Sequence, residues 1–257
     1  MKSVLSVVLS GLLLLLGALP ALAAPPALAA TTGVEDWTAP LSTRGRYIVD
    51  ADGNRFRPRS GNWDGAQGSW SGSGDRSDPA THHSGQDSHG IPLGLDRVPL
   101  PTLLADFRAL GLNSIRLPFS NEMLRTTTTP VPAAAVAANP ALRGRTPLQV
   151  YDAVVAALTD GGFAVILNNH TVTTRWCCGL DGNERWNSGG RSTAQWADDW
   201  VFLARRYRDN PRVVGADLFH YKGQCLPSEY AAGIAFTARA GFRPSPAALL
   251  CRPLPGN

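Results

Sequence analysis

Two polar side chains stand at or near the ends of apolar runs. Arg116 lies in Asn113-Ser114-Ile115-Arg116-Leu117-Pro118, and His170 closes Phe163-Ala164-Val165-Ile166-Leu167-Asn168-Asn169-His170. An arginine so placed can pair with a carboxylate, and a histidine can hydrogen-bond a ligand through either ring nitrogen. Two carboxylates lie near them in sequence: Glu122 just beyond the first run, and Glu184 in the segment after the second. Carboxyls are the usual carriers of general acid, general base and nucleophilic steps. Trp63, Trp176 and Trp186 fall in segments without apolar periodicity and offer flat aromatic faces for stacking. Each group also has a structural reading: Arg116 in an ion pair, His170 as a satisfied buried residue, the two glutamates as solvated loop residues, and Trp63 in packing.

Regularly spaced elements must position these groups. The periodicity predicts a helix from Pro101, with Leu103, Leu104, Phe107 and Leu110 on one apolar face and Gly111 as its stop. A strand over 113–118 follows, and then a long loop. Thr146-Pro147 signals a helix start ahead of Tyr151, Val154, Val155 and Leu158, and Gly161-Gly162 ends it. Residues 163–167 read as a buried strand capped by Asn168-Asn169-His170. A third helix starts near Ser192 and lines up Trp196, Trp200, Leu203 and Tyr207, and Asn210-Pro211 leads into a last strand over 212–218. Upstream, 46–50 and 55–57 flank Ala51-Asp52-Gly53-Asn54 as a capping hairpin, and Asp64 to Gly90 reads as a long mobile loop.

Strands near 114, 164 and 213, about 50 residues apart with a helix between each pair, imply right-handed βαβ units and a parallel sheet. An open doubly wound sheet and a barrel both fit that pattern. No Gly-rich phosphate turn follows any strand, and polar residues occupy the strand C-terminal ends, so a (β/α)8 barrel is the expected architecture.

The segment Gly111-Leu112-Asn113-Ser114-Ile115-Arg116-Leu117-Pro118-Phe119-Ser120 resembles the second-strand signature of glycoside hydrolase family 5, the cellulase-like retaining glycosidases. Ile166 to His170 is similar to that family's third-strand end. Trp176-Cys177-Cys178 with Asp181-Gly182-Asn183 is similar to the loop that follows, and Asn210 to Leu218 to the approach to strand four. The resemblance covers about residues 44–218, the N-terminal half of the family's TIM-barrel fold. It implies that Arg116 orients and supports the nucleophile and that His170 stabilises the site or hydrogen-bonds sugar; Asn169 and the loop residues Trp63, Trp176 and Trp186 are the candidate substrate contacts, with packing the equal alternative for Trp63. The implied partner is a β-linked polysaccharide or oligosaccharide, whose pyranose faces stack on indole rings.

The family continues into Arg-Asn-Glu-Pro, where the Glu is the general acid/base, and its nucleophile Glu comes later, on strand seven. This chain reads Phe219-His220-Tyr221-Lys222 instead, with Tyr221 at the acid/base position. A retaining glycosidase needs two carboxyls about 5 to 5.5 Å apart, and a tyrosine, with an ordinary pKa near ~10, is a poor replacement acid. Glu122 and Glu184 are the candidate substitutes, with the solvated-loop reading preferred. The expectation is therefore an inactive member of the family, and the alternative is a non-catalytic secreted carbohydrate-binding protein. The segment 219–257, punctuated by Pro227, Pro244, Pro246, Pro253 and Pro255, reads as an aberrant tail of low order produced by a reading-frame change or a misplaced exon. Four strands of an eight-strand design would leave an open sheet edge, with self-association as its expected consequence.

Compartment and composition complete the reading. Lys2, the apolar stretch Val4 to Leu19 and Ala21-Leu22-Ala23 make residues 1–23 a secretory signal, with 24–43 as a linker and the mature chain exported. No later apolar run is long enough for a membrane anchor. Most of the +4 charge comes from the tail, where Lys222, Arg239, Arg243 and Arg252 face only Glu229, and no basic cluster interleaves with aromatics, so no nucleic-acid partner is expected. The four cysteines, Cys177, Cys178, Cys225 and Cys251, suit an oxidising compartment, and their pairing is left open. Together with His82, His83 or His89 they match no zinc spacing, so neither metal nor other cofactor is expected. Asn169-His170-Thr171 also forms a glycosylation sequon, expected to stay unoccupied at a strand end.

Overall fold

The structure is a computed structural model that describes residues 37–68, 87–174 and 185–219. The chain divides into Met1–Thr31 and Thr32–Asn257, and all described residues belong to the second unit. No helix among them is long and apolar enough to cross a membrane.

The first three strands, β1 (Ser42–Arg44), β2 (Tyr47–Val49) and β3 (Arg55–Phe56), form an antiparallel sheet in that order. The expected hairpin is present, and its turn is held by Asp50, whose carboxylate accepts from the backbone N–H of Asn54 at 2.8 Å. Burial pushes this carboxyl up, but the N–H groups of Asn54 and Thr38 outweigh it and hold the group below the usual carboxylate range. The predicted linker over 24–43 gives way to packed structure from Trp37 onward. The Trp37 indole is buried against Phe56 and donates to Gly162 O at 3.0 Å. Arg212 stacks 4.3 Å from its ring centre and donates to Gly162 O and Trp37 O. Ala164 and Val214 join this cluster, so the small sheet packs at the N-terminal ends of two parallel strands, away from the polar strand ends.

The second sheet begins at β4 (Ser60–Asn62), a strand too short to give a period in the sequence. Next come α1 (Leu100–Ala109), β5 (Ser114–Ser120), α2 (Asn121–Arg125), α3 (Pro147–Asp160), β6 (Ala164–Thr171), α4 (Thr193–Tyr207) and β7 (Val213–Asp217). The sheet order is β4-β5-β6-β7 and every pairing is parallel, as the repeating strand–helix pattern requires. Thr146 and Ser192 cap α3 and α4 through capping boxes with Gln149 and Gln195. Leu110 departs from its predicted place on the α1 face. It is the C-cap, 75% exposed, because the helix ends at Ala109 and the chain turns away through Gly111 at φ 78°.

Alternation along the strands separates two faces. Ile115, Leu117 and Phe119 of β5 and Val165 and Leu167 of β6 pack in the core with Leu104, Tyr151, Val154, Leu158, Trp200 and Leu203 from the helices. Full burial of side chains of this size is worth about 1.5–3 kcal/mol each. Tyr151 OH donates to Leu117 O at 2.8 Å, and Trp200 Nε1 to Leu218 O at 3.1 Å. The stretch between α2 and α3, predicted as loop, holds 3-10 turns at Ala133–Val136 and Pro140–Leu142. Asn139 orders it, accepting from Leu100 N and donating to Leu95 O and Val98 O.

Candidate functional site

Parallel register puts Asn62 of β4 opposite Arg116 of β5, and Asp217 of β7 opposite Asn168 of β6. All four belong to the face opposite the helices; Asn62 and Asp217 end their strands, whereas Arg116 and Asn168 stand within β5 and β6. Arg116 Nε and Nη2 both donate to Asp217 Oδ2, at 2.8 and 2.7 Å, and Nη1 donates to Asn62 Oδ1 at 2.8 Å. Asn62 donates in turn to Asp64 Oδ1, which also receives Gln67 Nε2 at 3.3 Å. Gln67 is fully buried, and its backbone carbonyl accepts from the Thr171 hydroxyl at the end of β6. A continuous polar network therefore runs across all four strands. The Arg116–Asp217 pair is 24% and 29% exposed, sheltered but reachable.

On β6 the same face carries Asn168 and His170. His170 Nδ1 lies 2.9 Å from the Asn168 side-chain amide, which ties the ring to its neighbour two residues back on the same face. Asn168 is fully buried, and its Nδ2 has no acceptor among the described residues. An unmet buried donor costs about 1–3 kcal/mol.

Asn169 points to the other face, and its expected contact with substrate gives way to a structural role. It is fully buried, donates to Asn121 Oδ1 and Thr171 O at 3.1 Å each, and accepts from Trp196 Nε1 at 2.8 Å. The reason is the two-residue period of a strand, which sends Asn169 away from its neighbours Asn168 and His170. Asn121 also donates to Asp199 Oδ2 at 2.7 Å, and Asp199 is paired with Arg125 and Arg191. The Asp199 side chain is 5% exposed. Burial raises its carboxyl despite the opposing effects of Asn121, Arg191 and Arg125, and burial likewise lowers Arg191 despite Asp199 beside it. Both directions report desolvation of a pair locked between α2 and α4.

The aromatic candidates separate in the same way. Trp63 is 7% exposed, packs edge-on to Phe107 at 5.1 Å and donates to Leu93 O at 2.9 Å, so its ring belongs to the core. Trp186 is half-buried, 6.0 Å from Trp196, with its indole N–H on Thr193. Glu122 accepts from Thr174 N and Oγ1 at 2.7 and 3.1 Å. It lines a cleft of about 550 Å3 with Asp87, His89, Thr126 and Thr174 rather than joining the Arg116 network. Trp176, Glu184, His82, His83, Tyr221 and all four cysteines lie outside the described residues.

Sequence reasoning found Arg116 and His170 but missed Asn62, Asp64, Asn168 and Asp217. Asn168 was legible as the i−2 partner of His170, and Asp217 as the polar residue ending an apolar strand. Asn62, on a three-residue strand, gave no signal.

Residues 49–219 match the cellulase family, glycosyl hydrolase family 5. A glycosyl hydrolase 5 family protein of Chamaecyparis obtusa is 32% identical over 196 residues, covering 70% of this chain and 32% of that protein. The major extracellular endoglucanase of Xanthomonas campestris is 37% identical over 116 residues, covering 45% of this chain and 23% of that one. The chain thus spans at most about a third of the length of these relatives. Among solved structures, the catalytic domain of the major endoglucanase from Xanthomonas campestris superposes with a TM-score of 0.58 at 25% identity, over 79% of this chain and 55% of that one. An endocellulase of Pyrococcus horikoshii in complex with cellotetraose has a TM-score of 0.57 at 20% identity, over 80% and 56%, a likeness of fold. With two thirds of its length accounted for by that family match, the chain belongs to glycosyl hydrolase family 5, the cellulase family.

Proposed function

We propose that this protein is an exported member of the family that engages β-linked glucan at the Arg116, Asn168, His170 and Asp217 face without cleaving it. The observation that carries the reading is that Asn62 and Asp217, the last residues of β4 and β7, and His170, next to last in β6, gather with the mid-strand Arg116 on one face of the parallel sheet. Barrel enzymes build their sites at strand C-terminal ends. In the parent family, two glutamates hydrolyse the glycosidic bond with retention. Here Tyr221 takes the acid/base position, and the carboxylates near the described strand ends have partners of their own: Asp217 gives one oxygen to Arg116, Asp64 meets Asn62 and Gln67, and Glu122 meets Thr174. Trp176 and Trp186 are the proposed stacking platforms. Export rests on the Lys2 to Ala23 signal and on the extracellular endoglucanase among the relatives.

Calorimetry with cellotetraose on purified, sequence-verified protein, followed by product analysis, tests the proposal. Saturable binding with the tetrasaccharide recovered intact is the expected result. Release of shorter sugars would overturn the non-cleaving part of the reading, and no heat at millimolar ligand would overturn the glycan part.

A further inference from the structure

The Arg116–Asp217 contact has an unusual shape. A guanidinium has five N–H donors and most often meets a carboxylate as a two-on-two fork. In this protein Nε and Nη2 converge on a single oxygen, Asp217 Oδ2, while Nη1 is taken by Asn62. Three donors are fixed and two remain. Among the described residues, Asp217 Oδ1 takes no hydrogen bond. Asp64, one step further along the network through Asn62, adds a second carboxylate. The cluster therefore presents an oriented guanidinium whose charge is more than cancelled. Opposite Asp217 in the β6–β7 register stands the buried donor Asn168 Nδ2.

We infer that Asp217, helped by Asn62, acts as a specificity-determining and positioning residue: it fixes and neutralises Arg116 so that the site takes uncharged glycan and turns away glycan bearing uronate groups. The inference rests on the glycan-binding reading. A neutral sugar hydroxyl both donates and accepts, so it can give its proton to the free Asp217 oxygen and accept from the two remaining Arg116 N–H groups. A uronate carboxylate can only accept, and it meets two carboxylates about one guanidinium. Without Asp217, Arg116 would offer an open, charged fork of the kind that binds carboxylates strongly.

Binding of cellotetraose and of a β-1,4-linked tetramannuronate is compared for the native protein, Asp217→Asn, and Asp217→Asn combined with Arg116→Ala, alongside the NMR signal of the Arg116 Nε–Hε group. The native protein is expected to hold cellotetraose, to exclude the tetrauronate and to show a protected Arg116 Hε. In Asp217→Asn, uronate affinity rises about tenfold or more, falls again with added salt and disappears with Arg116→Ala, while Hε protection falls because a neutral amide oxygen is the weaker acceptor. A folded Asp217→Asn with unchanged uronate affinity overturns the inference. So does a native Arg116 Hε that exchanges as fast as that of the exposed Arg143, a result that decides the matter even if the variant does not fold. If the native protein ignores cellotetraose while Asp217→Asn still gains uronate, the glycan reading fails and the role of Asp217 stands.

Discussion

Asn168 and Asn169 are adjacent and chemically identical, yet they belong to two differently built regions. On the inner face, Asn168, His170, Arg116, Asn62 and Asp217 form a network that is partly open, with a buried donor unmet and two guanidinium N–H groups to spare. On the outer face, Asn169, Asn121, Trp196, Asp199, Arg125 and Arg191 form a network in which both ends of the Asn169 amide and both oxygens of Asp199 are engaged, with Arg191 Nε the one buried group that meets no acceptor among the described residues. The outer network holds α2 and α4 to the sheet, and the inner one belongs to the face proposed to meet glycan. A polar strand end is thus divided residue by residue between structure and chemistry, and the pleat decides which is which.

The comparison breaks first, if it breaks, at Asp199. Asp199→Ala leaves Arg125 and Arg191 without their shared partner, and breaking a buried pair costs about 3–5 kcal/mol. Urea unfolding measures it, and a loss below ~1 kcal/mol would place Asp199 outside the structural core. Asn169→Ala should cost about 2 kcal/mol, since it strands Trp196 Nε1 and the Asn121 amide, and should leave cellotetraose affinity unchanged in calorimetry. Arg116→Ala is expected to do the reverse. A partly exposed pair contributes roughly 0–1 kcal/mol, so stability barely moves, while glycan affinity drops about tenfold. The smallest effect lies in pH. The Asp199 carboxyl is raised on folding, so the folded state binds its proton more tightly than the unfolded chain, and the group detracts from stability above that raised value. As pH falls through it, wild-type stability should improve relative to Asp199→Asn, the opposite trend to Asp50, whose lowered carboxyl loses its contribution on acidification.

Much of this was legible in the chain. Capping signals at Thr146 and Ser192 and the apolar stripes behind them specify α3 and α4, because local hydrogen bonding and burial agree there. The parallel order of β5, β6 and β7 follows from the repeated strand–helix unit. What escaped is what depends on partners distant in sequence. Asp217 is recognisable as part of the site only once it meets Arg116, 101 residues away. Trp63 is a core residue because of Phe107 and Leu93, and β4 exists as a strand because β5 offers it an edge. Asn168-Asn169-His170 reads as one polar cap in the sequence, but the strand continues through it to Thr171 and its pleat turns Asn169 to the other face.

The most direct test is an NMR titration of the labelled protein with cellotetraose, following side-chain signals on both faces of β6. The amide of Asn168, the ring of His170 and the Nε–Hε of Arg116 should shift together and saturate, while the Asn169 amide and Trp196 indole stay fixed. Shifts on the outer face with the inner face silent would contradict the division of labour proposed for this strand.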